Sequence, residues 1–167
     1  MAESIHEQIV VALRSSLAAI TSDGGTTYWY TPAAVVRTLW FAPDEAVLKP
    51  GLGGPIYAIR PGEETHEEGT TGSSKGFMDL FVLVATPYTD SDTPHNPATV
   101  MRWTVVNRMV RDVLRKMLVD VQLVSAGGAV ENVFANPVTV DRDRFVEGWA
   151  IAEIHFTIVY AYRNSTP

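Results

Sequence analysis

The sequence predicts an α+β fold: a mostly antiparallel sheet with two main helices packed on one face, and long loops. Three observations predict it. From Trp149 to Arg163, Ala150, Ala152, Ile154, Phe156, Ile158, Tyr160 and Tyr162 share one parity, which is the alternation of a strand. Only Ser4–Ile20 and Pro97–Val119 carry apolar residues at the threes and fours of a helix. Strand-like stretches outnumber these two helices, and two helices can cover only one face of a sheet. The 167 residues suit one domain, residues 1–167.

Ser4 to Ile20 places Ile5, Ile9, Val10, Leu13, Leu17 and Ile20 on one stripe. Ser4 and Glu7 have the spacing of a capping box, in which each side chain satisfies a free backbone N–H. Gly24 and Gly25 mark a turn. Thr26–Tyr30 and Val35–Phe41 are rich in β-branched and aromatic residues and read as strands, interrupted by Pro32. Residues 43–55 read as a loop, Ile56–Arg60 as a short strand, and residues 61–76 as a long polar loop. Phe77–Thr86 is a dense apolar run, expected as a central strand, followed by a loop over 87–97. Asn96-Pro97 looks like an N-cap and first helical position, opening a helix to about Val119. Val130–Asp141 and Phe145–Arg163 read as two antiparallel strands of a hairpin. The last strand carries neither Gly nor Pro, which suits a paired interior position.

Composition narrows the function classes. With no cysteine, disulfides and thiolate metal sites are excluded. The opening reads as an amphipathic helix rather than a basic segment followed by an apolar leader, and no apolar run has the length of a membrane span. The net charge is −6 and unevenly spread: residues 61–96 hold seven acidic side chains and one basic, residues 97–120 five basic and two acidic. An acidic chain with one short basic helix is a poor candidate for a nucleic-acid groove binder, and no sequence-specific nucleic-acid binding is expected. The acidic stretch and the basic helix could attract each other, within a chain or between copies.

No segment carries a catalytic signature, so the chain reads as a non-enzyme without a cofactor. Gly69–Gly76 resembles a phosphate-binding loop only superficially: Ser74 precedes Lys75, Gly76 follows it, and a strand comes next where that motif needs a helix. Asp90, Asp92 and His95 could hold a divalent ion or serve a hydrolase, but they lack the later Gly and Glu of a calcium loop and read as turn residues. His6 and His155 have no adjacent Ser or Asp pattern of a triad. Arg108, Arg111 and Arg115 share a helix face, and Asp112 is spaced to pair with Lys116. Glu63, Glu64, Glu67 and Glu68 form an acidic run, either a solvated loop or a contact surface. Trp29 and Trp40 sit in aromatic stretches near a predicted edge, as interface aromatics do. These Arg, Glu and Trp residues are the candidate subunit or partner interface.

The opening Glu3-Ser-Ile-His-Glu-Gln-Ile-Val-Val-Ala-Leu-Arg-Ser-Ser-Leu-Ala-Ala-Ile20, the middle helix Pro97–Val119 and the closing Trp149-Ala-Ile-Ala-Glu-Ile-His-Phe-Thr-Ile-Val-Tyr-Ala-Tyr-Arg163 together resemble the tail terminator proteins of long-tailed bacteriophages. The resemblance spans the chain in order and length and rests on patterns rather than on a signature. It implies a structural virion protein, made in the host cytoplasm and placed at the tail–neck junction. Such proteins form a hexameric ring that caps the tail tube, ends its polymerisation and presents the surface for head-to-tail joining. The implied partners are further copies of the chain, the tail tube protein and a head-completion or neck protein, with no catalytic residue to carry over. A head-closure connector of the neck is the nearest alternative. A small ligand-binding domain or hydrolase using Asp90, Asp92 and His95 is a more distant one.

Overall fold

The computed structural model describes residues 5–37, 54–68, 73–88, 98–118, 130–141 and 148–163. Its elements run α1 (Ile5–Ala18), β1 (Ala34–Arg37), β2 (Ile56–Glu68), β3 (Ser73–Pro87), α2 (Ala98–Leu118), β4 (Val130–Asp141) and β5 (Trp149–Arg163). The fold is α+β. Five strands form one sheet in the order β1-β2-β3-β5-β4, antiparallel except for the short parallel pairing of β1 with β2. The expected central strand is the middle one. The expected pairing of the last two strands is present, with residues 142–147 between them outside the described residues.

Alternation divides the sheet into two unlike faces. On β5, Ala150, Ala152, Ile154, Phe156, Ile158 and Tyr160 are buried. They join Tyr57 and Ile59 of β2 and Met78, Leu80, Val82 and Val84 of β3 in one core. Both helices close over this face. α1 contributes Ile9, Val10, Leu13 and Leu17; α2 contributes Val106, Met109, Val110, Val113 and Met117. On α1 the spacing read from the sequence is the stripe that the core takes up, whereas on α2 the core takes Val110 as well and leaves Leu118, the last apolar residue of the expected stripe, exposed.

The opposite face changes character along its length. At one end Ala58, Leu83, Ala85 and Ile151 form a small buried cluster with Val36 and Trp149 packed against it. Farther along come Arg60, Phe81 and His155, direct cross-strand neighbours on β2, β3 and β5. Then follow Asp79 and Thr157, also paired, and finally Thr65 with Phe77 and Glu67 with Lys75.

Three expectations are corrected. Residues 61–76 are not a long loop: 61–68 belong to β2 and 73–76 to β3, leaving only 69–72 between the strands. Pro61 and Gly62 obscured this, because they sit at a register shift between Pro61 and Glu64, where the ladder is interrupted and a bulge is tolerated. Thr26–Tyr30 is not a strand but part of a turn-rich segment. Asp23 organises it, accepting the N–H groups of Thr27 (2.8 and 2.9 Å) and Tyr28 (3.1 Å). These bonds hold the exposed Asp23 carboxyl down at a pKa of about 2, the Thr27 backbone bond contributing most. Gly24 and Gly25 supply φ of 77° and 94° there, and the Trp29 ring occupies the space a Gly25 side chain would need. Asp112 does not pair with Lys116, for the reason given below. Of the capping box, Ser4 lies outside the described residues, while Glu7 pairs with Arg37 of β1.

Candidate functional site

Three polar clusters stand out, one under the turn-rich segment and one on each face of the sheet. The first is centred on Asp112. Its side chain is fully buried, at 0% exposure. Its carboxylate accepts the Trp29 N–H at 3.0 and 2.9 Å and the Tyr30 N–H at 2.9 Å. Arg108 and Lys116, one helical turn to either side, lie over the rings of Trp29 (4.0 Å) and Tyr28 (5.9 Å to the ammonium). Burial pushes the Asp112 carboxyl up, against the two backbone bonds that pull it down. Tyr57 lies buried beneath, its hydroxyl without a hydrogen-bond partner among the described residues. Burial, then the nearby Asp112 charge, raises its pKa. This cluster fixes the segment 28–30 to α2 and is structural.

The second cluster lies on the helix side of the sheet, where β2 leaves the core. Glu64 is held by His6 Nδ1 of α1 at 3.2 Å and accepts the Tyr160 hydroxyl of β5. His66, two residues along the same face, approaches Glu64 at 3.6 Å and meets the Tyr160 ring edge-on. The Tyr160 ring occupies the space that a side chain on Gly76, its cross-strand partner, would fill.

The third cluster is on the open face. The His155 imidazole stacks on Phe81 (centroids 4.4 Å, planes at 11°), and the Arg60 guanidinium lies 3.9 Å from the centroid of the same Phe81 ring. His155 Nε2 is 3.1 Å from Asp79 Oδ1, to which the Thr157 hydroxyl donates at 3.2 Å. Thr157 thus gives its proton to Asp79 rather than to His155, so the trio lacks the nucleophile–base–orienter sequence of an acyl-transfer triad. Beside it, Glu63, Thr65, Glu67, Phe77, Asp79 and Thr157 line a shallow recess of ≈ 340 Å³. Among the described residues, no three acidic or histidine side chains are grouped closely enough to hold a metal ion.

The candidate interface residues are dispersed by this geometry. The acidic run is split by strand alternation: Glu63 and Glu67 line the open-face recess, whereas Glu64 turns to the helix side and Glu68 is exposed near the end of β2. On α2, Arg108 is engaged with Trp29, Arg115 is half-buried, and Arg111 is exposed. Trp29 is half-buried in contacts within its own chain. Trp40, Asp90, Asp92 and His95 lie outside the described residues. Sequence reasoning missed the partners of both histidines, because Glu64 is 58 residues from His6 and Asp79 is 76 residues from His155. It also missed Trp103 and Leu118, which are exposed on the outer side of α2.

Among the described residues the fold is α+β, with one sheet face covered by the helices and the other carrying an acidic recess beside Arg60, Phe81 and His155. Among solved structures, the chain is similar to a chain of the "Virion of native gene transfer agent (GTA) particle", at 16% identity and a TM-score of 0.41, over 96% of this chain and 95% of that one. A likeness at this level carries no functional conclusion. No protein-family model matches the sequence, and no curated protein does.

Proposed function

We propose that the chain is a structural virion protein that forms a ring, caps the phage tail tube, ends its polymerisation and offers the surface for head or neck attachment. One observation carries the reading: an exposed arginine on the outer side of α2 and a recess lined by three carboxylates lie on opposite sides of the sheet. The outer side of α2 presents exposed Arg111, and the only carboxylate within α2, Asp112, is buried and committed to backbone N–H groups. The sheet face behind the helices presents Glu63, Glu67 and Asp79 around one recess, with Lys75 across from Glu67 and Arg60 farther along. Unlike surfaces on opposite sides of one chain favour head-to-tail contact, and repeated head-to-tail contact closes a ring where the rotation allows it. The resemblance in element order to tail terminator proteins supports the same reading.

The test adds purified chain to polymerising tail tubes in the absence of heads. The expected result is tubes that stop growing and carry a ring at one end in electron micrographs. Tubes that grow unchanged with bare ends overturn the proposal.

A further inference from the structure

We propose that the outer stripe of α2 docks on the open sheet face of a second copy, with Arg111 entering the recess between Glu63, Glu67 and Asp79. The inference rests on the ring reading above and names the contact that would build it. Trp103, Asn107, Arg111 and Leu118 recur at four, four and seven residues, so they form one stripe along the helix. Trp103 and Leu118 are 38% and 51% exposed, and with Val11 they are the large apolar side chains left exposed among the described residues. Arg111 lies between them, about 12 Å along the axis from Trp103 and about 10 Å from Leu118. A tryptophan and an arginine in one row, on a helix whose other side is packed, are the residue types that interface centres favour, and Leu118 extends the apolar part of the row.

The occupant follows from complementarity. Glu63 and Glu67 make no hydrogen bond or ion pair with the described residues, and their recess is also lined by Thr65, Phe77 and the Asp79 carboxylate, whose Oδ1 already serves His155 and Thr157. Those carboxylates are not clustered tightly enough for a metal ion, but they surround a space that suits a planar, multi-donor guanidinium over an aromatic ring. Stripe and recess lie on opposite sides of the domain, so one copy cannot satisfy itself and the contact passes to the next copy.

Charge exchange tests the pairing by sedimentation at increasing protein concentration. Arg111→Glu and Glu67→Arg are each expected to weaken self-association about ten-fold or more, and the double variant to recover most of it. The chain has no cysteine, so Asn107→Cys and Thr65→Cys each introduce a unique thiol that spares the charged groups. A short bis-maleimide should link the two variants to each other in a mixture more readily than either to itself. A wild-type ring undisturbed by both single reversals overturns this docking and leaves the ring reading standing. A ring broken by the reversals but not rescued by the exchange also overturns the pairing. Wild-type protein that stays monomeric alone and on tail tubes overturns the ring and the docking together. Exclusive homotypic cross-linking through Asn107→Cys assigns the stripe to a two-fold contact and overturns the head-to-tail arrangement.

Discussion

Tyr160 and Gly76 face each other across β5 and β3, and the tyrosine ring takes up the volume that any side chain on the glycine would require. The vacancy at Gly76 lets the ring cross β3 and its hydroxyl reach Glu64 on β2, which also holds His6 of α1. Three strands and a helix are thus tied together where β2 leaves the core. Gly76→Ala should displace the ring and destabilise the protein by about 1–3 kcal/mol, as overpacking does. Tyr160→Phe, which keeps the ring and removes only the hydrogen bond, should cost about 1 kcal/mol. Chemical denaturation of the two variants and of their combination measures the coupling. If the losses simply add, the two residues do not act through one another.

Asp112 joins α2 to the segment 28–30 through buried bonds. Asp112→Ala leaves the Trp29 and Tyr30 N–H groups without their acceptor and should cost about 1–3 kcal/mol in urea unfolding. Unchanged stability would mean that the segment finds other partners.

Tyr57→Phe should behave in the opposite sense. Its hydroxyl is buried without a hydrogen-bond partner among the described residues, so removing it deletes a desolvation cost and no bond. Stability is expected to hold or to rise by up to about 1 kcal/mol. A clear loss in the same urea titration would show that the hydroxyl has an acceptor.

The turn around Asp23 should respond to acid. Its folded pKa of about 2 lies below the ordinary value of 3.8, so its contribution to order is fully present above the latter. That contribution is lost as pH falls between the two values. Amide exchange of Thr27 and Tyr28 should therefore accelerate relative to the core below about pH 3. In Asp23→Asn the same amides should lose this dependence on pH.

Much of the fold was legible in the sequence because burial imposes periodicity. Ala150 to Tyr160 announced a half-buried strand, and Ile9, Leu13 and Leu17 a packed helix stripe, before any partner was known. The fold class and both main helices followed, as did the pairing of the last two strands. The hairpin extension of residues 61–68 and 73–76 did not, since Pro61, Gly62 and a run of glutamates carry no apolar alternation. Those residues are strand because β3 supplies their hydrogen bonds, which is a tertiary matter.

By itself the sequence determined the residue types available for chemistry: no thiol, an acidic stretch beside a basic helix, and isolated histidines. Only the tertiary structure decided which of them meet. Asp112 looked like a surface partner for Lys116, and folding put it under Trp29 and Tyr30. His155 looked unaccompanied, and the sheet set Asp79 beside it. Glu63 and Glu67 parted from Glu64 because a strand sends successive side chains to opposite faces. Periodicity is written locally in the chain, whereas contact between residues dozens of positions apart depends on strand order and register, which only the packed sheet sets.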